Sequence, residues 1–100
     1  MDLVIIRNRK AVTSSKSLSE MFKRSHKSIV RSIYLTMRRL RAKRAADDTL
    51  FCQNHFYMTR DTIYMDRSGF DLLITTIRGD LSVKIRYIEA FNAIERKYKL

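Results

Sequence analysis

From His26 onward the apolar residues Ile29, Val30, Ile33, Met37 and Leu40 recur at spacings of one, three, four and three. That is the rhythm of one buried helical face. Lys27, Arg31, Tyr34 and Arg38 follow a second face of the same helix, with Ser28 and Ser32 beside them. The pattern predicts an amphipathic helix from His26 to about residue 46, its last turns losing the apolar stripe after Leu40 while keeping helix propensity. Upstream, Leu18, Met21 and Phe22 give a short helix over 15–22, and Lys23-Arg24-Ser25 ends it. Thr13, Ser14 and Ser15 are candidate N-caps, Ser17 and Glu20 have capping-box spacing, and Ser25 can cap the longer helix.

The flanks read differently. Met1–Arg7 is β-branched and apolar and predicts a short buried strand ended by the turn-prone Asn8, with Ala11-Val12 extended behind it. Leu50-Phe51, Phe56-Tyr57 and Ile63-Tyr64-Met65 predict two or three short strands, with a turn near Thr59-Arg60-Asp61. Asp66 or Ser68 then caps a helix with Phe70, Leu73, Ile74 and Ile77 facing inward, and Gly79 is expected at its C′ position. A last helix starts at Asp80 or Leu81 and runs toward Tyr98. Its apolar set (Leu81, Ile85, Tyr87, Ile88, Phe91, Ile94, Tyr98) is wider than one stripe. The expected fold is α+β and winged helix-turn-helix-like, mostly helical with a small antiparallel sheet. One domain over 1–100 is expected, with the helix-turn-helix at about 15–46, the wing at 50–65 and C-terminal helices at 67–98.

Charge changes this picture most. The net charge is +11, and its placement is uneven. Residues 1–46 hold thirteen Lys and Arg against Asp2 and Glu20, whereas residues 47–100 hold eight of each sign. A segregated positive field points to a polyanion, nucleic acid before anionic membrane. No apolar run is long enough for a membrane span or an export signal, so no membrane partner and a cytoplasmic location are expected. The lone Cys52 cannot form an internal disulfide.

In a helix-turn-helix the second helix enters the major groove and its N-terminal residues reach base edges. The base-edge candidates are therefore His26, Lys27, Ser28, Arg31 and Ser32. Arg31 is the leading one, because its fork matches the O6/N7 pair of guanine. Phosphate contacts are expected from Lys16, Lys23, Arg24, Arg38, Arg39, Arg41, Lys43 and Arg44, with Arg60 at the wing tip. Catalytic chemistry has little to stand on. Cys52 and His55 lack a second ligand pair for zinc, Asp47-Asp48 point apart as neighbours, and no Gly-rich phosphate loop exists. No enzyme activity, metal, cofactor or small-molecule substrate is expected. The five tyrosines read as half-buried aromatics rather than a base-stacking platform.

The runs "AVTSSKSLSEMFKRSHKSIVRSI", "YMDRSGFDLLI" and "KIRYIEAFNAIE" resemble the phage regulatory protein Rha family of temperate phages and prophages. The matching positions are Val12, Thr13, Ser14, Glu20, Phe22, His26, Lys27, Gly69, Phe70, Lys84, Tyr87, Ile88, Ala90, Phe91, Asn92 and Glu95. The resemblance implies a winged-helix-like domain that binds double-stranded DNA in phage gene regulation. It also implies that the Tyr87–Phe91 face closes the core, while apolar side chains among Val83, Ile94 and Tyr98 are left for a homodimer through the C-terminal helix. One departure is local: the family usually has Gly after the Phe that ends the first helix, and this chain has Lys23. The alternative function is a phage interaction protein, an antirepressor or inhibitor that binds an acidic host or phage protein through the same basic helix.

Overall fold

The computed structural model describes residues 3–43, 55–77 and 79–99. In chain order these form β1 (Ile5–Arg7), β2 (Lys10–Ser14), α1 (Ser15–Met21), α2 (His26–Lys43), β3 (Phe56–Met58), β4 (Ile63–Asp66), α3 (Arg67–Leu73) and α4 (Leu81–Tyr98). The strands make one antiparallel sheet in the order β1-β2-β4-β3. The fold is α+β, as the pattern of periodicities indicated. The predicted Leu50-Phe51 strand and the α2 extension toward residue 46 lie outside the described residues.

β1 and β2 are joined by Asn8 and Arg9, both at positive φ (52° and 64°). A two-residue loop with both centres left-handed has the twist that suits an antiparallel pair. The strand before it differs from expectation. Only Ile5–Arg7 is strand, and all three residues are exposed rather than buried. β1 is an edge of the sheet, while Val4 just ahead of it enters the core.

Strand alternation sorts the sheet into two faces. Ala11, Phe56, Ile63 and Met65 point into the core, where they meet Leu18 of α1, Ile29, Ile33 and Met37 of α2, Phe70 and Leu73 of α3, and Tyr87 and Phe91 of α4. Phe70, Tyr87 and Phe91 form a tilted aromatic group with centroids 5.3 and 5.4 Å apart. Phe22 stacks on Tyr87 at 6.2 Å. Tyr87 is fully buried, and its hydroxyl lies 2.7 Å from Ser17 Oγ. Ser17 therefore serves the core, and of the candidate caps Ser14 is the one used, its side chain accepting from the Ser17 N–H at 3.1 Å.

Gly79 corrects a second expectation. α3 stops at Leu73 with Ile74 as its C-cap, and Gly79 has no positive φ. It is therefore not a helix C′ residue. A Cβ at Gly79 would stand 2.5 Å from Phe22 Cδ1, so glycine is required by close approach to that ring. Gly69 is constrained likewise: its Cβ would meet the His55 carbonyl oxygen at 2.7 Å. Ile74 and Ile77 lie beyond α3, half-buried and buried respectively, and Asp80 caps α4 by accepting from the Ser82 N–H at 2.9 Å.

Candidate nucleic-acid interface

The link between α1 and α2 sets the direction of the basic helix. Arg24 N–H bonds the Ser19 carbonyl at 3.1 Å and Lys23 N–H bonds the Glu20 carbonyl at 3.4 Å, with Lys23 at φ 53°. This pair of bonds with a left-handed C′ residue is a Schellman ending. Lys23 thus occupies a backbone position that glycine fits better. Two residues later Ser25 Oγ accepts from the Ser28 N–H at 3.1 Å and starts α2. Ile29, Ile33 and Met37 bury one side of the helix in the core.

The other side faces outward. Lys27, Arg31, Tyr34, Leu35, Arg38 and Arg39 are all exposed. Among the described residues no ion pair reaches α2: the four pairs are Lys10–Asp66, Lys16–Asp61, His55–Asp66 and Arg67–Glu95. Arg41 and Lys43 lie in the last turn of α2, where only the backbone is described, and Arg44 lies outside the described residues. Ser28 and Ser32 are half-buried, and the Ser32 hydroxyl donates to the Ser28 carbonyl at 3.2 Å. Thr36 Oγ1 lies 2.9 Å from the Ser32 carbonyl and 3.0 Å from Thr76 Oγ1, fastening the middle of α2 to the segment after α3.

His26 is half-buried, with Nε2 2.8 Å from Ser15 Oγ. The same oxygen accepts from the Ile63 N–H at 3.0 Å. One buried hydroxyl therefore joins the first residues of α1, α2 and β4. Sequence reading placed Ser15 only among possible caps, since nothing in the local pattern shows a partner 48 residues away.

Beside α2 stands the β3–β4 hairpin. Its loop is closed by the Thr59 N–H and hydroxyl, both donating to the Thr62 carbonyl at 2.8 and 2.9 Å. Arg60 at the tip is exposed. Asp61 takes a hydrogen bond from Lys16 at 2.9 Å, and that ammonium holds its carboxyl below the usual range. Lys16 is thus an exposed cation already paired with an acid. Lys23 is exposed and Arg24 half-buried. A cavity of about 210 Å³ separates helix and hairpin, lined by His26, Val30, Tyr34, Met58 and Arg60 among others.

Fold and surface together describe a small α+β protein whose main outward feature is a cationic helix beside a short hairpin. Among the described residues no group of three or more His, Cys, Asp or Glu side chains is placed to hold a metal ion, and no helix is long and apolar enough to cross a membrane. The family model for the phage regulatory protein Rha matches residues 13–96, and the chain belongs to that family. Neither the curated proteins nor the solved structures contain a match to it. Membership gives the protein a phage regulatory role. The motif in α4 also gains a structural meaning: Asn92 Oδ1 accepts from Arg67 Nη1 at 2.7 Å, Glu95 pairs with the same nitrogen, and α4 is thereby tied to the start of α3.

Proposed function

We propose that the protein is a DNA-binding transcriptional regulator of a phage or prophage, acting in the cytoplasm of the bacterial host. α2 lies in the major groove and the β3–β4 hairpin serves as a wing on the adjacent backbone. The observation that carries this reading is the outward side of α2, where four exposed cations have no acid partner among the described residues. Such a face repels itself until a polyanion neutralises it. The chain order supports the reading too. The run β2, α1, α2 and the β3–β4 hairpin, with β4 paired to β2, follows the order expected of a winged helix-turn-helix.

Within this reading Lys27 and Arg31 have open access to base edges, with Ser28, Ser32 and His26 behind them as a partly covered second rank. Lys23, Arg24, Arg38, Arg39, Arg41, Lys43, Arg44 and Arg60 contact phosphates, while Lys16 is held back from them by its pairing with Asp61. A homodimer through α4 presents two such helices to adjacent half-sites. Of the three side chains expected at that contact, Val83 and Ile94 are packed on the core and Tyr98 is exposed, as are Leu81 and Ile85 of the same helix, which were not expected there. The dimer therefore uses Leu81, Ile85 and Tyr98.

The test is selection of bound duplexes from a random pool, followed by titration of the winning site. Arg31→Ala is expected to lose about 1–3 kcal/mol of affinity for that site and to relax preference at one base pair. Absence of duplex binding at low salt would overturn the proposal.

One observation favours a second reading. Tyr34 and Leu35 on α2 and Met58 on the hairpin are exposed apolar side chains, which suit an acidic protein partner as an antirepressor would require. Retention of a partner from nuclease-treated host extract, lost on Tyr34→Ala, separates the two.

A further inference from the structure

The sheet face turned away from the core carries a second surface. Tyr57 and Tyr64 are partners across β3 and β4, so their side chains emerge side by side on that face. Both are half-buried. Arg7 crosses from β1 to place its guanidinium carbon 4.5 Å from the Tyr64 ring centre. Lys10 reaches from β2 to the Tyr57 hydroxyl at 3.0 Å. Beneath them Val12, only 1% exposed, lies between Ile5 and Asp66 in register. The face thus has an apolar floor, two adjacent phenol rings and cations laid over them.

The surface continues past Lys10. A cleft of about 310 Å³ is lined by Arg9, Lys10, Asp66, Arg67, Ser68 and Glu95. Glu95 is taken up by Arg67. Asp66 is occupied by the Gly69 N–H and His55, and lies 3.7 Å from the Lys10 ammonium. Arg7 and Arg9 have no ion pair among the described residues. Lys10 and Arg67 offset the two carboxylates, and Arg7 and Arg9 leave the path net positive.

We propose that this face binds an unpaired DNA strand. Bases stack on the Tyr64–Arg7 and Tyr57 planes, and the phosphates follow Lys10 and Arg9 into the cleft. Adjacent aromatics with interleaved cations recognise single strands because every base has a stacking face and every nucleotide a charge. A duplex offers no free base faces to such a platform. DNA is the assigned strand because the basic helix at the other surface brings the molecule to DNA. Single-strand binding itself does not rest on the duplex reading.

The experiment measures anisotropy of a fluorescein-labelled thymidine oligonucleotide of about 12 nucleotides, within the usual span of one single-strand site. Arg7→Ala combined with Tyr64→Leu should weaken it about tenfold, while Tyr64→Phe, which keeps the ring, should bind as wild type does. Arg31→Ala should leave it unchanged, and the double variant should leave duplex affinity unchanged, so each surface can fail alone. Because Tyr64 is half-buried, crosslinking of the wild-type protein to an iododeoxyuridine oligonucleotide supplies a measurement independent of folding variants. Adducts at Tyr57 or Tyr64 support the assignment. Adducts confined to α2, equal binding by wild type and the folded double variant, or tighter binding of the matching uridine oligonucleotide would each overturn it.

Discussion

Lys23 and Gly79 lie on opposite sides of one question, whether a backbone position needs glycine. Lys23 has the left-handed φ of 53° that a Schellman ending demands, and an L side chain there costs about 1 kcal/mol. Lys23→Gly should therefore raise the urea midpoint at unchanged m-value, by about 0.5–1 kcal/mol of stability, while slightly weakening any phosphate contact the ammonium makes. Gly79 is the reverse case. Its φ is ordinary, but the Phe22 ring fills the space a Cβ would take. Gly79→Ala should lower the thermal midpoint by about 1–3 kcal/mol worth of overpacking, because Phe22 is itself stacked on Tyr87. The turn at Lys23 was legible in sequence, through the resemblance to chains with glycine there. The role of Gly79 was not, because it depends on a ring 57 positions away.

At the scale of elements, what was legible was what repeats locally. The stripe Ile29–Met37 and the cap at Ser25 are properties of neighbouring residues, and both stand where periodicity put them. Of the candidate caps of α1, Ser14 is the one used, while the Ser17 hydroxyl meets Tyr87 across the core, a contact that local pattern does not show. Likewise the buried strand expected over Met1–Arg7 became an exposed edge, since edge or centre is decided by sheet order, which no single strand encodes. The tyrosine pair was invisible for the same reason. Asp80 offers a test at this scale. Its carboxylate accepts from the Ser82 N–H at the start of α4, which holds its pKa below the ordinary carboxylate value. A depressed folded pKa contributes stability above the unfolded value, about 3.9, and loses it as pH falls through the folded pKa. Asp80→Asn keeps a capping oxygen without the ionisation. The wild-type advantage in urea midpoint over Asp80→Asn should be constant near neutrality, begin to shrink as pH falls toward about 4, and vanish only below the folded pKa.

For the molecule as a whole, the excess charge of the first half meets two acids, Asp66 at Lys10 and Asp61 at Lys16, and the second stands beside the proposed duplex surface. Asp61 at the hairpin tip takes Lys16 out of the positive field and fixes α1 against the proposed wing. If the cationic side of the molecule is a DNA surface, Asp61 limits how many phosphates it neutralises. It also trades affinity for register, since the pair holds the tip in one place. Asp61→Asn should release Lys16 to phosphate. Duplex affinity at low salt should then rise, and the slope of log affinity against log salt should steepen by about 0.9, the increment for one further phosphate. Discrimination between the selected site and random duplex should narrow, because the gain is the same on every sequence. A slope equal to that of wild type would place Lys16 away from the backbone and confine the interface to α2 itself.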